Sequence, residues 1–81
     1  MTIKVKFFAI LKEILGREEM ILDFPPPISC GEVLAFLKNS FSDTASLLES
    51  SFVAVNGQYA ECGTILGPED EVAVLPPVSG G

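Results

Sequence analysis

Residues 29–41 hold the one long helical stripe in this chain, and that fact limits how it can fold. Ser29-Cys30-Gly31-Glu32 has the Ser-x-x-Glu form of a capping box, in which the serine hydroxyl and the glutamate carboxylate satisfy the open amides of a helix start. Val33, Leu34, Phe36, Leu37 and Phe41 follow at helical spacing, which predicts a helix over 30–40. A lone amphipathic helix must bury its stripe against something other than a second helix, so the remaining segments have to supply a sheet.

Those segments read as strands. Ile3-Lys4-Val5-Lys6-Phe7 alternates apolar and polar residues, the period of a half-buried strand. Ile10, Leu11, Ile14 and Leu15 then make a short helical turn ending at Gly16. Glu19 to Phe24 returns antiparallel and is stopped by Pro25-Pro26-Pro27, whose rings remove ladder donors. Asp43 to Ser50 adds a further helical turn. Phe52-Val53-Ala54-Val55 is a third strand, and Asn56-Gly57 after it is a strong hairpin signal because both turn positions need positive φ. Gln58-Tyr59-Ala60 begins the return. Gly67-Pro68-Glu69-Asp70 is a turn, Glu71 to Leu75 a last strand, and Pro76-Pro77 its stop. The expected fold class is α+β: a ubiquitin-like β-grasp with a mixed sheet of about five strands and one main helix across it. The domain spans 1–75, and 76–81 form a flexible C-terminal tail carrying Gly-Gly. The expected core takes Val33, Phe36 and Leu37 from the helix, and Ile3, Val5, Phe7, Val53, Val55, Val72 and Val74 from the sheet.

Composition excludes several function classes. The 81 residues have a formal charge of −6, and residues 39–81 hold six acids and no base, so a nucleic-acid partner is not expected. There is no histidine, which removes the commonest general base and metal ligand; no metal site is expected. Two cysteines, Cys30 and Cys62, are too few for a disulfide framework and read as small buried hydrophobes. The apolar run at 7–11 stops at Lys12-Glu13, so neither a leader nor a membrane span is expected and the reading is cytoplasmic.

With no Cys–His pair and no phosphate-binding glycine loop, the remaining chemical feature is the C-terminus. Gly80 and Gly81 have no Cβ, so the main chain can enter a channel that excludes side chains. Six extended residues reach about 20 Å, enough to put a terminal carboxylate inside a partner's active site. A carboxylate is a poor electrophile until activated, and adenylation by ATP followed by attack of sulfur or of a lysine amine is the chemistry such an end permits. Strand parity adds a surface. With Ile3, Val5 and Phe7 facing the core, Phe8 points away, and with Val72 and Val74 inward, Leu75 points outward. Tyr59 joins them, and Glu69, Asp70 and Glu71 form an acidic rim, giving an expected partner interface.

Ile3-Lys4-Val5-Lys6-Phe7-Phe8-Ala9, Phe52-Val53-Ala54-Val55-Asn56 and the end from Gly67 through Asp70-Glu71-Val72-Ala73 to Pro76-Pro77-Val78-Ser79-Gly80-Gly81 resemble the small, sulfur-carrying subunits of molybdopterin synthase. The resemblance implies that Gly81 is adenylated by an E1-like adenylyltransferase, which binds the nucleotide, and is converted to a C-terminal thiocarboxylate (1-thioglycine) with sulfur from a donor system. It implies that Pro77, Val78, Ser79 and Gly80 thread the active site of a large subunit, in a heterotetramer of two small and two large subunits. Sulfur then passes to cyclic pyranopterin monophosphate to make the molybdopterin dithiolene of the molybdenum cofactor. No permanently bound cofactor is implied, only a transient acyl-adenylate. The enzymatic activity is that of a sulfurtransferase subunit without catalytic side chains of its own. Sulfur carriage for the thiazole of thiamine, or protein modification in the manner of ubiquitin, are the alternatives.

Overall fold

The structure, a computed structural model, describes residues 1–77. In chain order it forms β1 (Thr2–Phe7), α1 (Ala9–Leu15), β2 (Glu19–Asp23), α2 (Cys30–Ser40), a 3-10 turn (Ser42–Thr44), α3 (Ala45–Glu49), β3 (Phe52–Val55), β4 (Gln58–Tyr59) and β5 (Glu71–Leu75). The strands make one sheet in the order β2-β1-β5-β3-β4. Among the described residues β1 and β5 run parallel, whereas β1 with β2, β3 with β5 and β3 with β4 are antiparallel. This is the mixed sheet of the β-grasp expected from the pattern.

Local chemistry explains the boundaries. Ser29 caps α2: its hydroxyl accepts from the Glu32 amide at 3.2 Å, and the Glu32 carboxylate accepts from the Ser29 amide at 3.3 Å. Gly16 ends α1 in the left-handed region at φ 70°, where a Cβ would be strained. Asn56 and Gly57 sit at φ 50° and 86°, which matches the twist of the strands that they join.

The core lies between α2 and one face of the sheet. Ile3, Val5 and Phe7 of β1, Val72 and Val74 of β5, and Val33 and Leu37 of α2 are all essentially inaccessible, joined by Leu11 and Leu48 from the short helices. Full burial of each such side chain contributes about 1.5–3 kcal/mol, so the sheet's inner face is the chief source of stability.

Two sequence expectations fail here. Phe36, expected in the core, is 40% exposed, and Leu34 is buried in its place. At 100° per residue the face toward the sheet is Cys30, Val33, Leu34 and Leu37; Phe36 lies off that line and meets Phe24 edge-on at 5.4 Å. Cys62 is exposed, whereas Cys30 is buried as expected. The loop after β4 packs through its backbone, the Cys62 carbonyl accepting from the Gly31 amide at 2.8 Å, which leaves the thiol outside.

Candidate functional site on the outer sheet face

The face of the sheet opposite α2 is left uncovered among the described residues and carries the exposed apolar side chains Phe8 and Tyr59. Register fixes who shares it. Lys6 pairs with Ala73, Ala73 with Ala54, and Ala54 with Tyr59, so these four form one row across the sheet. One step toward the end of β5, Leu75 lies opposite Phe52, and Phe8 follows the Phe7–Val74 pair on the other side. Phe8, Leu75 and Tyr59 come together with Ala54, Ala73 and Gly57 around one shallow hollow of about 280 Å³. The two alanines matter as much as the aromatics, since small residues between large ones create a depression where a partner side chain can seat.

The apolar groups here are unusually open. Phe8 is 42%, Phe52 55% and Tyr59 79% exposed. Phe52 and Tyr59 stand edge-to-face with ring centroids 6.0 Å apart. A contiguous apolar patch of this kind marks an interaction surface. Phe52 was not among the residues singled out from the sequence. The signal was present, since Val53 and Val55 inward put Phe52 and Ala54 outward by the same parity that exposed Phe8 and Leu75.

The acidic rim divides into three different roles. The Asp70 carboxylate is a tie: Oδ2 accepts from the Gly67 amide at 2.7 Å and Oδ1 from Asn56 Nδ2 at 2.9 Å. These bonds, the one from Gly67 first, hold its pKa below the ordinary carboxylate value. Asn56 completes the clasp with β5, its Oδ1 accepting from the Glu71 amide at 3.0 Å and its own amide donating to the Glu71 carbonyl at 2.9 Å. Glu71 faces Lys6 at 3.6 Å. Glu69, at a left-handed φ of 69°, forms no ion pair or side-chain hydrogen bond among the described residues and is the rim acid that projects.

β5 leaves the patch at Leu75 and continues through Pro76 to the exposed Pro77. Val78, Ser79, Gly80 and Gly81, singled out from the sequence for threading and chemistry, lie outside the described residues. Among the described residues no three His, Cys, Asp or Glu side chains gather to hold a metal ion, and no helix is long and apolar enough to cross a membrane. Burial first, then the nearby Cys62 and Asp70, pushes the Cys30 thiol above its ordinary pKa, the opposite of what a nucleophilic cysteine needs. What the described side chains of this face offer is an apolar surface suited to binding a partner.

Known proteins share this architecture and sequence. The chain is 35% identical to the molybdopterin synthase sulfur carrier subunit of Dictyostelium discoideum, over 96% of this chain and 94% of that one. The crystal structure of small archaeal modifier protein 1 from Haloferax volcanii superposes with a TM-score of 0.85 at 27% identity, each chain covered in full. A complex of subunits 1 and 2 of the molybdopterin-converting factor from Helicobacter pylori contains a chain similar to this one at 26% identity and a TM-score of 0.74, again with full coverage of both. The model of the ThiS family matches residues 5–81, the patch, the strand that leaves it and the Gly-Gly end together. A ubiquitin-like sheet with an open apolar face beside its C-terminal strand, and a sequence that matches over nearly its whole length, make this chain a member of the ThiS family.

Proposed function

We propose that the protein is the sulfur-carrying small subunit of a molybdopterin synthase, acting in the cytoplasm. The observation that carries the reading is the apolar hollow of Phe8, Tyr59 and Leu75 at the root of the strand that leads to Gly80-Gly81. Relatives named molybdopterin synthase sulfur carrier subunit at 30–35% identity support it, as does the similar chain held in a complex of the two converting-factor subunits.

Residues 1–75 act as the handle and 76–81 as the reagent. The Gly81 carboxylate attacks the α-phosphate of ATP on an E1-like enzyme and expels pyrophosphate. Hydrosulfide released by a donor attacks the acyl carbon and displaces AMP from the acyl-adenylate, losing its proton to leave a thiocarboxylate. The carrier then docks on the large subunit through Phe8, Phe52, Tyr59 and Leu75, with Glu69 at the rim, and Pro77, Val78, Ser79 and Gly80 place the thiocarboxylate against cyclic pyranopterin monophosphate. The thiocarboxylate sulfur bonds to a pterin carbon, and water then cleaves the resulting thioester, leaving the sulfur on the pterin and supplying the oxygen that regenerates the Gly81 carboxylate. Two carriers and two large subunits make the working assembly.

Mass spectrometry of the protein produced with its own activating enzyme tests this. The expected product is heavier by one oxygen-to-sulfur exchange, and deletion of Gly81 removes it without moving the melting temperature. A second reading rests on the likeness to small archaeal modifier protein 1: the same adenylate captured by a lysine amine of another protein. A covalent adduct on other proteins with no thiocarboxylate would favour that reading over sulfur carriage.

A further inference from the structure

Among the described residues a second cavity lies apart from the hollow on the sheet face, and it is larger than that hollow. It is a groove of about 710 Å³ around the β3–β4 edge, where α2, the end of α3 and the loop after β4 meet. Leu34 and Val53, each only 8% exposed, lie at its bottom, and Ala60 and the exposed Cys62 thiol line it as well. Glu49 and Glu61 are its charged groups, both exposed and neither in an ion pair among the described residues. Residues 39–81, which supply all of the lining but Leu34, contain no lysine or arginine to neutralise them. An apolar trough bordered by two unpaired carboxylates is complementary to an apolar segment that carries cationic side chains.

The charge also decides among possible occupants. The chain's own C-terminal carboxylate would add a third negative charge beside Glu49 and Glu61. A second copy brings a net −6 with it. Both are disfavoured by like-charge repulsion. We propose that this groove is a second docking surface, for an apolar segment bearing lysine or arginine on a protein partner. It is distinct from the sheet-face hollow of Phe8, Ala73 and Leu75, although Tyr59 borders both and Phe52 of the apolar patch lines the groove as well.

The test uses the intact chain and a short peptide alternating valine with lysine, against the same peptide with glutamate for lysine. Backbone amide shifts in two-dimensional NMR report the site, and the rate of Cys62 alkylation by iodoacetamide, an uncharged reagent, reports cover of the groove. The lysine peptide should shift Leu34, Val53, Ala60 and Cys62 and slow the alkylation of Cys62. The glutamate peptide should do neither. The double variant Glu49→Gln, Glu61→Gln should weaken binding of the lysine peptide roughly threefold or more, as two surface charge pairs would, and added salt should weaken it in the unmodified chain. The proposal is overturned if neither peptide shifts the groove, if both do so equally, if the shifts fall only on Phe8 and Leu75, or if the groove amides shift with protein concentration alone, which would mean self-association.

Discussion

Asn56→Ala is the change that most directly tests how the interface is held in shape. The Asn56 side chain spans from the β3–β4 turn to the start of β5, donating to the Asp70 carboxylate at 2.9 Å and accepting from the Glu71 amide at 3.0 Å. A hydrogen bond to a charged group contributes about 1.5 kcal/mol and one to an amide about 1. Alanine would also have to hold φ near 50°, a left-handed conformation that costs an ordinary residue about 1 kcal/mol more than asparagine. The site is exposed, so water replaces part of each lost bond, and a net loss of about 2 kcal/mol is expected. For a domain this size that lowers Tm by roughly 8–16 °C. Urea unfolding followed by circular dichroism measures the loss. Asn56→Gly, which accepts positive φ but lacks the side chain, should recover roughly half of it. The sign with pH is fixed as well. Asp70 has its pKa depressed in the folded state, so its contribution is present above the ordinary carboxylate pKa and is lost as pH falls through the depressed value. The gap between the native chain and Asn56→Ala should therefore narrow on acidification. A penalty under about 0.5 kcal/mol, the range of an ordinary surface substitution, would refute the clasp.

Phe52→Lys and Leu75→Lys should each weaken binding to the large subunit by about 2 kcal/mol, as for a buried apolar anchor, with urea midpoints close to that of the unaltered chain; titration calorimetry on the folded variants decides it. Gly57→Ala, at φ 86° with open space around it, should cost about 1–2 kcal/mol through backbone strain alone, read from thermal unfolding. Cys62 should be alkylated in the native state while Cys30, buried and with its thiol pKa raised, reacts only on unfolding, a difference visible by peptide mapping. Gly31→Ala puts a Cβ 3.1 Å from both the Cys62 Cβ and its carbonyl oxygen, so the usual gain in helix propensity of about 1 kcal/mol should not be realised; an increase in Tm would show that the loop yields.

Strand identity and parity were legible because period two survives in β1 and β5, where each inward residue is Ile, Val or Phe and the outward ones mostly are not. The same rule applied to β3 would have found Phe52, but a continuous apolar run such as Phe52-Val53-Ala54-Val55 hides its own outward side. Phe36 was misplaced because 33, 36 and 37 also fit a helical stripe; only the sheet's position selects 34 over 36. Asp70 could not be read as a tie, because its partners Gly67 and Asn56 meet it only through the turn and the pairing of β5 with β3. The groove beside Cys62 is likewise a product of packing among α2, α3 and a loop, with no periodic trace. The expectation for Gly80 and Gly81 rests on residue type and position alone, and both lie outside the described residues.

The placement of β5 between β1 and β3 has a mechanical consequence. Any force applied to the chain beyond Pro77, as when a partner draws the end into a channel, enters the sheet at its middle strand. It is resisted by two hydrogen-bonded ladders at once, one parallel and one antiparallel, loaded along the strand axis so that their bonds would have to fail together. An edge strand under the same load would peel away one bond at a time. The sheet can thus act as a firm anchor, and traction applied past Pro77 would be transmitted to it as a whole before any single strand came loose.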